Sequence, residues 1–155
     1  MKRYWLLSAC VLLAVGLSAC FDRESKEQSV HPYDELADAG EDIETALAGL
    51  TDKQRLLLVF GANWCPDCRR VDASMVQPEI TAYLQSQFAI VKVDVGNFDQ
   101  NLDITQRYGS PTQKGIPAMV IVDRHNRATR IILGRELASE HRKGRGEFYH
   151  WLKTL

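Results

Sequence analysis

Two cysteines separated by two residues, Cys65 and Cys68, are the residues of this chain whose type and spacing best suit chemistry. They follow an apolar run, Leu56 to Phe60, which has the length and composition of a strand buried on both faces of an α/β sheet. Gly61 interrupts the run, and Pro66 is typical of the first turn of a helix, where its missing N–H group costs nothing. The pattern therefore predicts that Cys65 lies near the N-terminus of a helix.

This predicted position favours the thiolate form of Cys65. The first N–H groups of a helix have no partner within it, and the helix dipole is positive at that end, so a negative charge is stabilised there. The thiolate is the nucleophile in thiol–disulfide exchange. Cys68 follows one helical turn later on the same face, where it can attack a mixed disulfide formed at Cys65. We therefore predict a redox pair in which Cys65 attacks and Cys68 resolves.

Two structural roles for the same pair are alternatives. A disulfide that closes so short a loop gives only about 2 kcal/mol in the chain-entropy estimate, which makes it a weak crosslink. A closed zinc site needs four ligands. No second cysteine pair follows, and no paired spacing is present among the four histidines, His31, His125, His141 and His150. Redox chemistry is therefore favoured, and no metal site is predicted.

Length, composition and charge narrow the class of protein. The chain has 155 residues, of which 45% are hydrophobic and 25% are charged, and this suits one compact domain with a proper core. The formal net charge is −1, and no basic stripe with interleaved aromatic residues stands out, which argues against a nucleic-acid partner. Dithiol–disulfide exchange requires no bound cofactor, so none is predicted.

The N-terminus has the pattern of an export signal. Met1–Arg3 is positively charged and precedes an apolar stretch, Trp5 to Leu17, that is too short to span a bilayer comfortably. The following run, Leu17-Ser18-Ala19-Cys20, resembles a bacterial lipoprotein signal, in which the cysteine is lipidated and becomes the new N-terminus. The resemblance implies a signal peptide over residues 1–19 and an acylated Cys20. An ordinary signal peptide or an uncleaved anchor is the alternative.

The same resemblance predicts a location in the bacterial cell envelope. Residues 20–32 are polar, carry charges of both signs and lack apolar periodicity, so we predict a flexible tether. In Gram-negative bacteria an aspartate after the lipidated cysteine usually retains a lipoprotein in the inner membrane. Phe21 stands there, which favours the outer membrane, facing the periplasm. Cys10 would leave with the signal peptide, so the redox pair would hold the only thiols left in the mature chain.

Residues 33–155 alternate between helical and strand patterns. The first predicted helix runs from Tyr33 to Leu50, and the strand and helix around the cysteines follow, to about Met75. The later predicted helices are Glu79 to Ser86, Leu102 to Tyr108 and Glu147 to Leu155. The later predicted strands are Phe88 to Val95, Ile116 to Asp123 and, antiparallel to the last of these, Thr129 to Leu133.

A cis Ile116–Pro117 bond would place backbone beside the cysteines and leave Ile116 N–H and C=O groups free to hold an extended substrate chain. An edge proline that opens a strand is the alternative.

The order of these elements resembles that of the thioredoxin-like superfamily over Tyr33 to Leu155. Two motifs carry the resemblance, Trp64-Cys65-Pro66-Asp67-Cys68 and, later in the chain, Gly115-Ile116-Pro117. The resemblance implies an α/β, thioredoxin-like fold in which a central mixed β-sheet is flanked by helices on both faces. It also implies that Cys65 is the nucleophile and Cys68 the resolving thiol, that Trp64 shields the pair and that a cis Pro117 lies beside it.

Two departures from the superfamily pattern affect the chemistry. In thioredoxins proper, a buried aspartate on the strand six residues before the first cysteine helps to move the proton of the resolving thiol. This chain has Val59 there, so deprotonation of Cys68 must depend on water or another group. The residues between the cysteines are Pro66-Asp67 rather than Gly-Pro, and both are candidates for tuning the pair. Asp67 should oppose ionisation of Cys65, while the following Arg69-Arg70 either counters that effect or is plain surface charge.

The function predicted from the sequence is a membrane-tethered thiol:disulfide oxidoreductase that reduces protein disulfides. Its partners would be envelope proteins with disulfides or thiols and a membrane thiol–disulfide electron donor, because a reductase in an oxidising compartment needs a supply of electrons. The sequence lacks the helical insertion of dedicated oxidases and the second domain of dimeric isomerases, which favours a reductase. The alternative from another class is a module that binds Cu(I) through the cysteine pair and delivers it to a partner. Met75 and Met119 are poorly placed to assist it and are more simply explained as core residues.

Overall fold

A four-stranded mixed sheet forms the centre of residues 31–155, the part of the chain that the computed structural model describes. Its strands are β1 (Arg55–Gly61), β2 (Phe88–Asp94), β3 (Ala118–Val122) and β4 (Ala128–Ile132). Their order across the sheet is β2-β1-β3-β4. β2 is parallel to β1, whereas β3 is antiparallel to both β1 and β4. β1 is therefore a central strand, and its burial from Leu56 onwards confirms the strand predicted from the apolar run.

Helices cover both faces of this sheet. They are α1 (Ala39–Ala48), α2 (Pro66–Met75), α3 (Pro78–Gln87), α4 (Leu102–Arg107), α5 (Gly134–Arg142) and α6 (Arg145–Leu152), and a short 3-10 helix spans Pro111–Lys114. Successive side chains of a strand point to opposite faces. Leu58 and Phe60 of β1 accordingly pack with α1 and α4, whereas Leu57 and Val59 pack with α2, α3, α5 and α6. The predicted fold class, a mixed sheet with helices on both faces, is confirmed.

Helix α1 begins six residues later than predicted, at Ala39 instead of Tyr33. Its start is set by Asp38, whose carboxylate accepts a hydrogen bond from the N–H of Glu41 at 3.0 Å. The preceding residues do not continue the helix because they are bound elsewhere. The backbone N–H of Tyr33 donates to Oδ1 of Asn63 at 3.0 Å, and its carbonyl oxygen accepts from Nδ2 of Asn63 at 2.8 Å.

Gly61, the last residue of β1, leaves the space that the side chain of Tyr33 occupies. A Cβ atom built on Gly61 would overlap the hydroxyl oxygen and Cζ of Tyr33. The tyrosine is buried and packs against Cys65 and Cys68. The segment before α1 is therefore part of the folded domain, and its tyrosine side chain contacts the cysteine pair.

Helix α5 has no counterpart among the predicted elements. Only Gly134 and Leu137 of its nine residues are buried, and Leu137 is the only large apolar residue of the segment, so the sequence offers few apolar positions from which to predict a helix. The predicted final helix is confirmed in kind, but it begins at Arg145 and ends at Leu152.

The predicted signal peptide (1–19), the predicted lipidation site Cys20 and all but the last two residues of the predicted tether (20–32) lie outside the described residues. These assignments stay predictions. Within residues 31–155, no helix combines the length and the hydrophobicity needed to cross a membrane.

The packing of Tyr33 against Gly61 predicts the effect of Gly61→Ala. The added methyl group should displace the tyrosine ring and lower the free energy of unfolding by about 1 to 3 kcal/mol, the usual cost of overpacking a core. Chemical denaturation measures this change. Gly146→Ala is the matched control, because Gly146 is an exposed position of helix α6 where a Cβ atom meets nothing within 4 Å, and it should leave the stability unchanged or raise it slightly. Equal stability of the two variants would contradict the proposed packing.

Candidate active site

Cys65 and Cys68 form a disulfide at the start of α2, with their Cα atoms 5.3 Å apart. Cys65 is the N-cap residue of the helix, and Pro66 is its first residue. The short loop Ala62–Trp64 connects the C-terminal end of β1 to the cysteine pair. The structure thus confirms that Cys65 lies at a helix N-terminus with a proline in the first turn.

The helix provides a hydrogen-bond donor to the sulfur of Cys65. The backbone N–H of Cys68 donates to this Sγ at a distance of 3.2 Å. A helix N-terminus stabilises a negative charge by about 0.3 to 1 kcal/mol, or up to about 2 kcal/mol when the site is partly buried. A thiolate formed at Cys65 after reduction would have this stabilisation, whereas complete burial of Cys68 disfavours a charge on its sulfur. The two sulfurs are therefore chemically different.

The Ile116–Pro117 segment lies beside the pair. Its peptide bond is cis, and the carbonyl oxygen of Ile116 is 3.8 Å from Sγ of Cys65. Helix α5 supports this segment from behind, since a Cβ atom on Gly134 would come within 2.9 Å of the Gly115 carbonyl oxygen and 3.0 Å of that of Pro117. Only glycine lets the start of α5 approach so closely. The structure therefore brings the predicted substrate-binding backbone next to Sγ of Cys65.

Trp64 presents an apolar surface next to the cysteines. Its indole N–H donates to the carbonyl oxygen of Gly96 at 2.8 Å, and its ring meets that of Phe98 edge-on with 6.0 Å between centroids. The two aromatic side chains remain about half exposed, at 51% for Trp64 and 46% for Phe98. These contacts fix the tryptophan to the turn after β2, while its shielding of the pair stays a prediction.

Asp67 lies on the outer side of α2 in an exposed ion pair. Its carboxylate is 2.8 Å from the guanidinium of Arg70. Arg69 instead donates to the carbonyl oxygen of Asn63 at 3.3 Å. The charge that Asp67 places near Cys65 is therefore partly balanced by Arg70 and screened by solvent. A tuning role for Pro66 and Asp67 stays a prediction.

A partly buried ion pair lies under α2, on the side that faces the sheet. Asp72 follows Cys68 by one helical turn, and its carboxylate lies 2.5 Å from the ammonium group of Lys92 on β2. Asp72 is only 8% exposed.

Burial raises the pKa of the Tyr33 hydroxyl, and the negative charges of Asp72 and Asp94 raise this pKa further. In this cluster of Tyr33, Asp72, Lys92 and Asp94, the tyrosine hydroxyl is therefore uncharged.

Asp94, the last residue of β2, is the second buried carboxylate of the cluster. Its Oδ2 accepts a hydrogen bond from the N–H of Gly96 at 2.9 Å. Burial raises the pKa of Asp94, and the hydrogen bond from Gly96 opposes this effect. The sequence analysis assigned no role to Tyr33, Asp72, Lys92 or Asp94. The lysine among the apolar residues of β2 is the sequence feature that could have indicated the ion pair.

The described residues contain no group of three or more His, Cys, Asp or Glu side chains that could hold a metal ion. Met75 and Met119 belong to the core between the sheet and α2, as predicted. Neither methionine is therefore a surface ligand next to the cysteine pair.

Comparisons with known proteins agree with this geometry. The thioredoxin-like family matches residues 38–124, which is more than half of the chain and includes the cysteine pair and Pro117. A solved structure described as a disulphide isomerase from Xylella fastidiosa Temecula1 is 44% identical, with a TM-score of 0.74, and the match covers 79% of this chain and 95% of that one.

More distant similarity is found to the C-terminal domain of DsbD from Neisseria meningitidis. Its oxidised form is 20% identical, with a TM-score of 0.49, and the match covers 69% of this chain and 96% of that one. Its reduced form is 22% identical, with a TM-score of 0.48, and the match covers 67% and 91%. No curated protein matches the sequence.

The family match and the 44% identical structure agree with what the site itself shows, a disulfide at the start of a helix beside a cis-proline segment. The chain therefore belongs to the thioredoxin-like family and is a thiol–disulfide oxidoreductase.

Proposed function

We propose that this protein reduces disulfides of bacterial envelope proteins while anchored to a membrane through lipid on Cys20. The observation that carries the enzymatic part is the different environment of the two sulfurs. Sγ of Cys65 accepts a helix N–H group and lies 3.8 Å from the Ile116 carbonyl oxygen, and Cys65 retains 4% exposure, whereas Cys68 is wholly buried. The anchor rests on the sequence pattern that ends in Leu17-Ser18-Ala19-Cys20.

The reaction has two exchanges. The thiolate of Cys65 attacks one sulfur of a substrate disulfide, a mixed disulfide forms, and the other substrate sulfur leaves as a thiolate that takes up a proton. Cys68 then loses its proton and attacks Sγ of Cys65. The Cys65–Cys68 bond forms and the bond to the substrate breaks. Two electrons have passed from the enzyme dithiol to the substrate, so a membrane thiol–disulfide donor must reduce the enzyme again.

A polypeptide substrate fits the surroundings of Cys65. An extended chain that hydrogen-bonds to the backbone of Ile116 would lie beside Sγ of Cys65, which is 3.8 Å from the Ile116 carbonyl oxygen. The exposed rings of Trp64 and Phe98 offer an apolar surface on the neighbouring turn for the side chains of the substrate.

Disulfide isomerisation is the second candidate function. The 44% identical structure is described as a disulphide isomerase, and the same two cysteines support either reaction. An isomerase returns its own sulfur to the thiolate form after the substrate has rearranged, so Cys68 is used only to release trapped complexes. A reductase uses Cys68 in every turnover.

The assigned order of attack predicts the behaviour of two single variants. Cys68→Ser should accumulate covalent complexes with envelope proteins, because the mixed disulfide at Cys65 can no longer be resolved. Cys65→Ser should not, since the remaining sulfur is buried. Non-reducing electrophoresis and mass spectrometry of cells that express each variant measure the complexes. Equal trapping by the two variants would overturn the assignment.

The direction of the reaction predicts the reduction potential of the Cys65–Cys68 couple. A reductase should have a value close to about −270 mV, while a value close to about −120 mV would identify an oxidase. Equilibration with glutathione or dithiothreitol buffers measures this potential.

A second assay separates a reductase from an isomerase. The reduced protein is mixed with a substrate whose disulfides are scrambled. Consumption of one enzyme dithiol for each disulfide lost supports the reductase, whereas recovery of native disulfides with the enzyme still reduced supports the isomerase.

Membrane anchoring predicts that Cys20→Ser abolishes incorporation of a labelled fatty acid and releases the protein from the membrane fraction. Cys10→Ser is the matched control, because this residue lies inside the predicted signal peptide, and it should remain labelled. Labelling of the Cys20→Ser variant would show that the anchor is elsewhere. The enzymatic proposal does not depend on this result.

A further inference from the structure

A cleft of about 360 Å³ lies next to Trp64, beside the active site. We propose that this cleft binds a lysine or arginine side chain of the polypeptide substrate, close in the substrate chain to the disulfide under attack. This binding mode rests on the proposed function, because it names the kind of polypeptide that the enzyme prefers.

The cleft is formed by residues that adjoin the attacking cysteine. Trp64 and Asn63, the two residues before Cys65, line it. Its other lining residues belong mainly to the segment before α1 and to the turn that follows β2. A mixed disulfide joins a substrate cysteine to Cys65, so the substrate residues near that cysteine are the ones that can reach the cleft.

The lining of the cleft has an unbalanced negative charge. Three carboxylates line it, those of Glu35, Asp94 and Asp99, and no Lys, Arg or His of the described part of the chain does so. Within residues 31–155, none of the three takes part in an ion pair. Each accepts a hydrogen bond from a neutral amide or backbone N–H group, at 2.8 to 2.9 Å. These bonds orient the carboxylates without neutralising them.

Asp94 is the member of this set that most directly indicates a ligand. It is only 7% exposed, and its Oδ2 accepts the N–H of Gly96, whereas no donor among residues 31–155 bonds to its Oδ1. Every fully buried side-chain oxygen in that range has a partner, so Oδ1 is accessible, and the cleft that Asp94 lines provides the access. Burial raises the pKa of Asp94, the Gly96 N–H opposes this effect, and the charges of Glu35 and Asp99 raise the pKa further. A cation in the cleft would relieve this repulsion.

The cleft suits a long basic side chain better than a metal ion. Its three carboxylates are not among any group of described residues that could hold a metal ion together. Its lining also includes two exposed apolar side chains, Leu36 at 96% and Trp64 at 51% exposure. Lysine and arginine lay their aliphatic stems along apolar surface, and their cationic ends are attracted to tryptophan rings and carboxylates. One such side chain would use both kinds of lining.

Both sides of the cleft are tied to the loop that precedes the cysteines. The side chain of Asn63 hydrogen-bonds to the backbone of Tyr33 and donates to the carboxylate of Glu35 at 2.8 Å. On the other side, the indole N–H of Trp64 donates to the carbonyl oxygen of Gly96 at 2.8 Å. The cleft is therefore formed before a substrate arrives, which lowers the entropy cost of binding.

Matched peptide disulfides test this preference with the full-length reduced protein. Three peptides share one disulfide and differ only in the residues beside it, which are lysine, glutamine or glutamate. Acid quenching and reversed-phase chromatography give the rate constants, and division by the rate of each peptide with dithiothreitol corrects for its intrinsic reactivity. The lysine peptide should react at least about 10-fold faster than the glutamate peptide at low ionic strength. This ratio should fall in about 1 M salt, because salt screens exposed charges.

Two substitutions together assign the preference to the cleft. Glu35→Gln with Asp99→Asn removes two charges at exposed positions, while the amide oxygens can still accept the existing hydrogen bonds. The ratio of the lysine to the glutamate rate should fall about 5-fold, which corresponds to about 1 kcal/mol for two exposed pairs. Glu44→Gln with Glu147→Gln is the matched control. It makes the same change in net charge at exposed helix positions outside the cleft and should leave the ratio unchanged.

The possible outcomes separate this preference from the proposed function. Equal rates for the three peptides, or a lysine preference that persists in the cleft variant, would overturn the inference and leave the proposed function intact. An equal fall of the ratio in the control would assign the preference to the net charge of the protein and would also overturn the inference. Failure of the wild-type protein to reduce any of the peptides would instead overturn the proposed function.

Discussion

The contact between the first turn of α2 and the sulfur of Cys65 is the interaction on which the site depends. The N–H of Cys68 lies 3.2 Å from this sulfur, so the backbone of one cysteine stabilises the charge of the other. About 1.4 kcal/mol corresponds to a tenfold change in the ratio of thiolate to thiol. The stabilisation that a helix N-terminus provides, up to about 2 kcal/mol in partly buried sites, is of this size. One turn of helix can therefore change the ratio of thiolate to thiol at its first cysteine by about tenfold.

This contact requires the helix to start at Cys65, and several distant parts of the chain hold it there. β1 is buried between β2 and β3, so its end is fixed. Asn63 ties the loop after β1 to the backbone of Tyr33, and the tyrosine ring fills the space beside Gly61. Gly134 lets α5 support the cis-proline segment from the opposite side. The reactive sulfur is therefore held by contacts between segments that are far apart in sequence.

Local patterns in the sequence were sufficient to predict the elements that carry the cysteines. Three features each indicate a structural element through neighbouring residues alone: the apolar run from Leu56, the proline at position 66 and the Ile116–Pro117 pair. The position of Tyr33 has no such local signal. Its apolar neighbours continue the helical spacing of α1, so the helix was predicted to begin there, whereas the hydrogen bonds to Asn63 join residues thirty positions apart. The buried ion pair was missed for the same reason, because Asp72 alone is indistinguishable from a surface charge of an amphipathic helix.

The ion pair also shows why a charge can be kept under the cysteines. A lone buried carboxylate would become protonated, since transfer of a charge out of water costs several kcal/mol. Lys92 offsets this cost at a distance of 2.5 Å, and its side chain remains 33% exposed, so its ammonium group keeps part of its hydration. The two sulfurs therefore have different electrostatic surroundings. The negative charge of Asp72, one helical turn after Cys68, and the complete burial of Cys68 disfavour a charge on the Cys68 sulfur, while the N–H of Cys68 favours a charge on Cys65. The two cysteines therefore need no difference in residue type to take different roles, because the helix that joins them places them in opposite electrostatic surroundings.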